Sequence, residues 1–270
     1  MIRRGRPFVF PAASVLMAFL LSSCLSVLEN VSLPEGIRST PRVSVTNEEA
    51  IRALKDALVE GIRVSSTALS ATDGYFGNDL VKIFLPPDAE PLLDAVSRIP
   101  QGQKMLDDVI LRINRSAESA AKEVLPIFAD AIREMSIADG IAIVRGSNRS
   151  ASRYLEEKTR AKLLALYQPG IDNALAAPLV MNMSAKNAWY KLTDSYNRVG
   201  APLNAAARLA KRKEPMPPVE VDLARYATNR ALDGLFLLVG QEEEKIRANP
   251  LAYSSAMIKK VFGALKDGLL

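Results

Sequence analysis

The residues with the most chemistry in this chain of 270 lie in one stretch, Ala224–Pro250, ARYATNRALDGLFLLVGQEEEKIRANP. Asp233 sits there among Ala231, Leu232, Leu235, Phe236, Leu237, Leu238 and Val239. A carboxylate in such company is expected to be at least partly buried, and an unpaired buried charge is costly. Two readings follow: a general acid or cation ligand with a raised pKa, or a structural ion pair with Arg230, Asn229 or a neighbouring helix. The structural reading is preferred. Glu242-Glu243-Glu244 resembles a metal cluster on paper, yet adjacent helix residues point about 100° apart and do not converge. A solvated, salt-bridged helix end is expected, with Glu243–Arg247 and Gln241–Lys245 as i,i+4 neighbours.

A second candidate is the polar turn Ser147–Ser150 with the mixed-charge run Arg153, Glu156, Glu157, Lys158 and Arg160. If the helix start there were open, its N–H groups with Arg149 and Arg153 would hold an anion; an ordinary capped start is preferred. Tyr75-Phe76 and Trp189-Tyr190 suit a core more than a ligand pocket.

Composition excludes more than it proposes. The chain has no histidine and one cysteine, Cys24. Ser-His-Asp and Cys-His catalysis, histidine acid–base work, disulfides and almost every transition-metal site are therefore absent from the expectation. No GxxxxGK[ST] phosphate loop occurs, and no cofactor is expected.

The N-terminus supplies an address. Arg3, Arg4 and Arg6 precede an apolar run from Phe8 to Leu21, followed by Leu21-Ser22-Ser23-Cys24. A basic start, a short apolar core and small residues before a cut mark a signal peptide. The run carries Pro11 and falls short of the roughly 20 apolar residues of a membrane span. Leu-Ser-Ser-Cys resembles the bacterial lipobox, so residues 1–23 are expected to be a lipoprotein signal and Cys24 its acylated residue, the protein's link to the membrane. Leu25, where an inner-membrane retention signal has Asp, favours the outer membrane facing the periplasm. Three of the 35 basic residues and none of the 30 acidic ones lie in 1–23, leaving 32 against 30. That balance gives no electrostatic case for nucleic acid.

These residues must be positioned by helices, and the patterning is all-α. Residues 24–45 read as a tether, and 46–270 as a single compact multi-helix bundle of about nine segments, with the long helix near the C-terminus at its centre. Thr46 with Glu49 and Ser136 with Asp139 look like helix starts. Ile51, Leu54, Leu58 and Ile62 recur at helical spacing, and Pro86-Pro87 separates a turn-rich apolar stretch from a short helix carrying Leu92, Leu93, Val96 and Ile99. Gln101–Val124 is expected to bury Met105, Val109, Ile113, Ala117 and Ala120, leaving Asp107, Arg115, Glu118 and Lys122 largely off that face. Pro126 opens the next helix. A helix from Ala151 is expected to stop at Pro169-Gly170, and one from Ser184 to be interrupted at Gly200-Ala201-Pro202. Arg208–Pro218, RLAKRKEPMPP, reads as a solvated basic loop or, failing that, as a contact to an anionic membrane surface. Asp222 starts the central helix, Asn249-Pro250 stops it, and Leu251–Leu270 forms the last.

AIRALKDALVEGI at Ala50–Ile62, IFLPP at Ile83–Pro87, INRSAESAA at Ile113–Ala121, PIFADAIREMSIAD at Pro126–Asp139, SRYLEEKT at Ser152–Thr159 and Asn229–Pro250 together resemble the bacterial family called domain of unknown function forty-one ninety-seven. The resemblance implies a helical, exported protein and no particular activity; Gly140, where alanine is expected, and the basic loop depart from it. The function expected is a lipid-anchored envelope domain with a binding or structural role, its partner a small apolar ligand or an envelope protein. The alternative is a carboxylate-dependent hydrolase or lyase using Asp233.

Overall fold

The computed structural model describes residues 45–268 apart from 99, 179–183 and 220. The leader, Cys24 and most of the tether lie outside the described residues, as do Ile99, Leu269 and Leu270. Nine α-helices and no strands occur among the described residues. They are α1 (Asn47–Ser70), α2 (Glu90–Ser97), α3 (Gly102–Ala120), α4 (Leu125–Glu134), α5 (Ile137–Arg145), α6 (Ser150–Ala176), α7 (Ala185–Leu209), α8 (Leu223–Ala248) and α9 (Ala256–Lys266). Short 3-10 turns precede α2, follow α3 and precede α9.

The starts follow local chemistry. Thr46 and Ser136 each form a complete capping box, with Glu49 and Asp139. Ser184, Asp222 and Ser255 cap α7, α8 and α9 through their side chains. Pro126 occupies the first turn of α4, where its missing N–H costs nothing.

α8 is central, packing most extensively on α6 and also on α1, α9 and α3. Leu232, Leu235, Val239 and Ile246 are buried along its inner face. α1 and α5 approach so closely that a Cβ on Gly140 would stand 2.8 Å from Ile51 Cγ1, which accounts for glycine where alanine is expected.

Two proline expectations are corrected. α6 continues through Pro169 to Ala176, because Leu163, Tyr167, Ile171 and Leu175 form one fully buried i,i+4 ridge. Burying Ile171 and Leu175 contributes about 1.5–3 kcal/mol each, enough to offset the roughly 3 kcal/mol of an interior proline. α7 likewise runs through Pro202. There the chain returning after α7 lies against the helix: Asn204 bonds both the N–H and the carbonyl of Met216, and Asn197 those of Val219. A Cβ on Gly200 would meet Met216 at 3.0 Å. The basic loop is exposed over most of its length, as expected of a solvated loop, and is held to α7 at Met216.

Residues 80–85 resolve a similar problem without a sheet. Val81, Ile83 and Leu85 are buried while Leu80 and Phe84 are exposed, the alternation of an extended chain. Asn114, fully buried on α3, accepts from Ile83 N–H at 2.9 Å and donates to the Ile83 carbonyl at 2.8 Å, taking the place of a neighbouring strand.

Candidate functional site

Asp233 lies on the outer face of α8, its side chain 45% accessible. The expectation of partial burial is corrected by helix geometry. Its apolar sequence neighbours turn inward, whereas position 233 stands roughly 130° from the line through Leu232, Leu235 and Val239. Arg160 of α6 donates to Asp233 at 2.6 Å and Arg230 at 3.4 Å. Asn229 accepts from the same Arg160 at 3.4 Å, and Glu156 from it at 2.6 Å. Burial works against the Arg160 charge, and its bond to Asp233 outweighs this, so its pKa is raised. Asp233 and Glu156 thus share Arg160, and Asp233 has Arg230 as a second cation.

The acidic triplet behaves otherwise than expected. Glu242 and Glu243 are buried, and only Glu244 is substantially accessible. Position 243 follows Val239 and precedes Ile246 by helical steps of four and three, so the core stripe itself carries it inward. Its carboxylate accepts from the N–H of Ala151 at 3.1 Å, and from the N–H and hydroxyl of Ser152 at 2.8 and 2.7 Å. Arg247 donates to Glu243 at 3.0 Å and to the carbonyls of Val144 and Ile143 at 3.1 and 3.0 Å. One i,i+4 pair on α8 therefore joins two C-terminal carbonyls of α5, one of which also accepts from Gly146, to the N-terminal amides of α6.

That arrangement bears on the start of α6, where an ordinary capped start is preferred to an anion site. Arg149, the residue before α6, has left-handed backbone with φ +67° and makes no cap of its own. The amides of the α6 start are occupied by Glu243, an anion supplied by the chain. Arg149 lies across Gly240 and donates to Glu244 at 2.6 Å, while Arg153 donates to the Ser147 hydroxyl at 2.8 Å. Glu242 accepts from the Tyr253 hydroxyl at 2.7 Å and from Lys245 at 3.0 Å. The three carboxylates serve three separate sets of partners, and no group of three or more metal-ligating side chains converges among the described residues.

Glu118 is a third buried acid, against the expectation that it faces away from the core. It accepts from the N–H groups of Tyr75 and Phe76, both at 3.2 Å, and from Arg115 at 2.7 Å, fixing the turn after α1. Tyr75 is fully buried, and its hydroxyl donates to the Ala231 carbonyl at 2.8 Å. The Tyr167 hydroxyl is close enough to influence its titration but meets no partner in hydrogen-bond geometry. Burial pushes both phenols up.

Room for a ligand is distributed unevenly. Between α1, α6, α8 and α9 a cavity of only about 10 Å³ remains. Beside α7 an open cleft of about 410 Å³ is lined by Leu175, Trp189, Tyr190, Thr193, Val219 and Leu223, among others. Trp189 is half-buried and donates to the Val221 carbonyl, whereas Tyr190 is 69% exposed.

The described residues form an all-helical bundle whose buried carboxylates are paired within the chain. The profile of the family described as protein of unknown function (DUF4197) matches residues 44–263, and the chain belongs to that family. No curated protein and no solved structure matches it.

Proposed function

We propose that this protein is an exported, lipid-anchored domain of the cell envelope that works by binding, with its membrane attachment at Cys24 and its folded part facing the periplasm from the outer membrane. The observation that carries the binding reading is the commitment of the buried carboxylates: Glu118, Glu242 and Glu243 each serve amides, hydroxyls or cations of their own chain. Supporting it, Asp233 is paired with Arg160 and Arg230 on an exposed surface, and the 10 Å³ core cavity has no space for a small apolar ligand. Recognition therefore falls to the outer surface, above all to α7. Leu-Ser-Ser-Cys after an apolar run supports the address.

Cells fed a fatty-acid analogue are expected to label the protein, and Cys24→Ala to abolish the label. Absence of label, or label that survives the substitution, overturns the anchor. Asp233→Asn is expected to leave the fold intact and cost under about 1 kcal/mol, as exposed ion pairs do. A purified envelope protein that hydrolyses or cleaves a small-molecule library in an Asp233-dependent way would overturn the binding reading.

A further inference from the structure

We infer that the distal end of α7 and the turn that follows it dock on the surface of an anionic phospholipid bilayer, independently of any lipid on Cys24. The first observation is where the charge lies. Residues 198–213 carry five basic side chains, Arg198, Arg208, Lys211, Arg212 and Lys213, and no acid. After residue 23 the chain has 32 basic and 30 acidic residues, so outside this segment 27 face 30. The positive excess of the chain after residue 23 is thus held in this one segment. Arg198 pairs with Asp194 and Arg208 with Glu214. Lys211, Arg212 and Lys213 have no acidic partner among the described residues.

The second observation is what lies beside the charge. Leu209 is 88% exposed, Val199 59% and Leu203 48%. At 100° per residue these three, with Pro202 and Ala206, occupy an arc of about 120° on α7. Gly200 and Asn204, which face the returning chain, lie roughly opposite. The clamp that fixes Met216 and Val219 therefore covers one side of the helix and presents the other. Exposed leucines flanked by lysine and arginine match the headgroup region of a bilayer, with apolar groups entering and cations meeting phosphate. A soluble polyanion would use the cations alone.

The third observation is the turn itself. Lys211 has φ +53°, a conformation that favours glycine. The Arg212 N–H reaches the Ala207 carbonyl at 2.8 Å and the Lys211 N–H the Arg208 carbonyl at 3.0 Å, closing α7 in a Schellman motif with a lysine in the glycine position. A cation is held at the apex in spite of the backbone preference.

The test uses the full chain with Cys24→Ser, which removes acylation and leaves an engineered Leu209→Cys as the only thiol for an environment-sensitive fluorophore. Vesicles of phosphatidylglycerol and phosphatidylcholine are expected to shift the emission to the blue, with little response to phosphatidylcholine alone and a loss as salt rises. The same label at Ile137→Cys on α5 is expected not to respond. Lys211→Gln, Arg212→Gln and Lys213→Gln together are expected to raise the lipid concentration at half response about a hundredfold, with unchanged circular dichroism and melting. An equal response at both labels, or to neutral vesicles, or an unchanged midpoint in the triple variant overturns the inference. Two further results would do so: duplex DNA matching the vesicle response, or a solution dimer that Val199→Glu and Leu203→Glu dissociate, which would assign the face to a second copy.

Discussion

At the scale of single residues, the buried polar groups differ in how completely they are satisfied. Glu243→Ala strands Arg247, itself 8% accessible, and uncovers the amides of Ala151 and Ser152. Removing one partner of a buried pair costs about 3–5 kcal/mol, a loss that urea denaturation will register. The two buried tyrosines are expected to respond in opposite directions. Tyr75→Phe loses a satisfied bond and costs about 1 kcal/mol, while Tyr167→Phe removes an unpartnered hydroxyl and is neutral or stabilising by about 1 kcal/mol. Both phenols have pKa values raised in the fold from an ordinary 10.0, so their neutral forms contribute stability below pH 10 that is lost as pH rises above it. An alkaline unfolding titration of the double phenylalanine variant will therefore show a shallower transition. Such contrasts were only partly legible in the sequence. The Glu243–Arg247 spacing announced a pair, but the charged composition of the segment concealed its inward phase. Asp233 failed in the reverse sense, because apolar neighbours in sequence are not neighbours on a helix face. Asn114 and Glu118 gave no local signal, since what they satisfy is backbone more than thirty residues away.

At the scale of elements, the caps were readable because a capping box is contained in four consecutive residues, as at Thr46 and Ser136. Pro169 and Pro202 were not, because their cost is local and its compensation tertiary. Ile171 and Leu175 continue α6, and the Asn197 and Asn204 clamps support α7. Gly140→Ala illustrates the same competition. Helix propensity favours alanine by about 1 kcal/mol, but the new Cβ would lie 2.8 Å from Ile51, and overpacking costs about 1–3 kcal/mol. A net destabilisation, read as a lowered melting temperature, is expected. Lys211→Gly is expected to do the opposite, raising stability by about 0.5–1 kcal/mol while weakening the vesicle response. That separation distinguishes a residue kept for a surface from one kept for the fold.

At the scale of the whole molecule, the all-helical bundle was legible from periodicity alone, and the central position of α8 from its continuous apolar face. Closure of the bundle was not. Lys260 of α9 donates to Glu49 of α1 at 2.6 Å, and Ser255 to Asp56 at 2.9 Å, so the last helix is fastened to the first. The Lys260 hydrogen bond, with the Thr46 N–H, holds the Glu49 carboxyl below its ordinary 4.5. A carboxylate depressed in the fold contributes above that value and loses its contribution as pH falls through the lowered one. Lys260→Gln is accordingly expected to move the acid unfolding midpoint to higher pH, followed by circular dichroism.

The Glu243–Arg247 pair also has a consequence for synthesis. The ends of α5 and α6 wait for groups some ninety to a hundred positions downstream. A chain delivered from its N-terminus cannot seal that junction until Glu243 and Arg247 have emerged, so the junction stays open well after α5 and α6 are complete. Chains stalled at residue 240 are expected to stay open to protease, and release of the remaining residues is expected to close the junction and the first-to-last helix contact together.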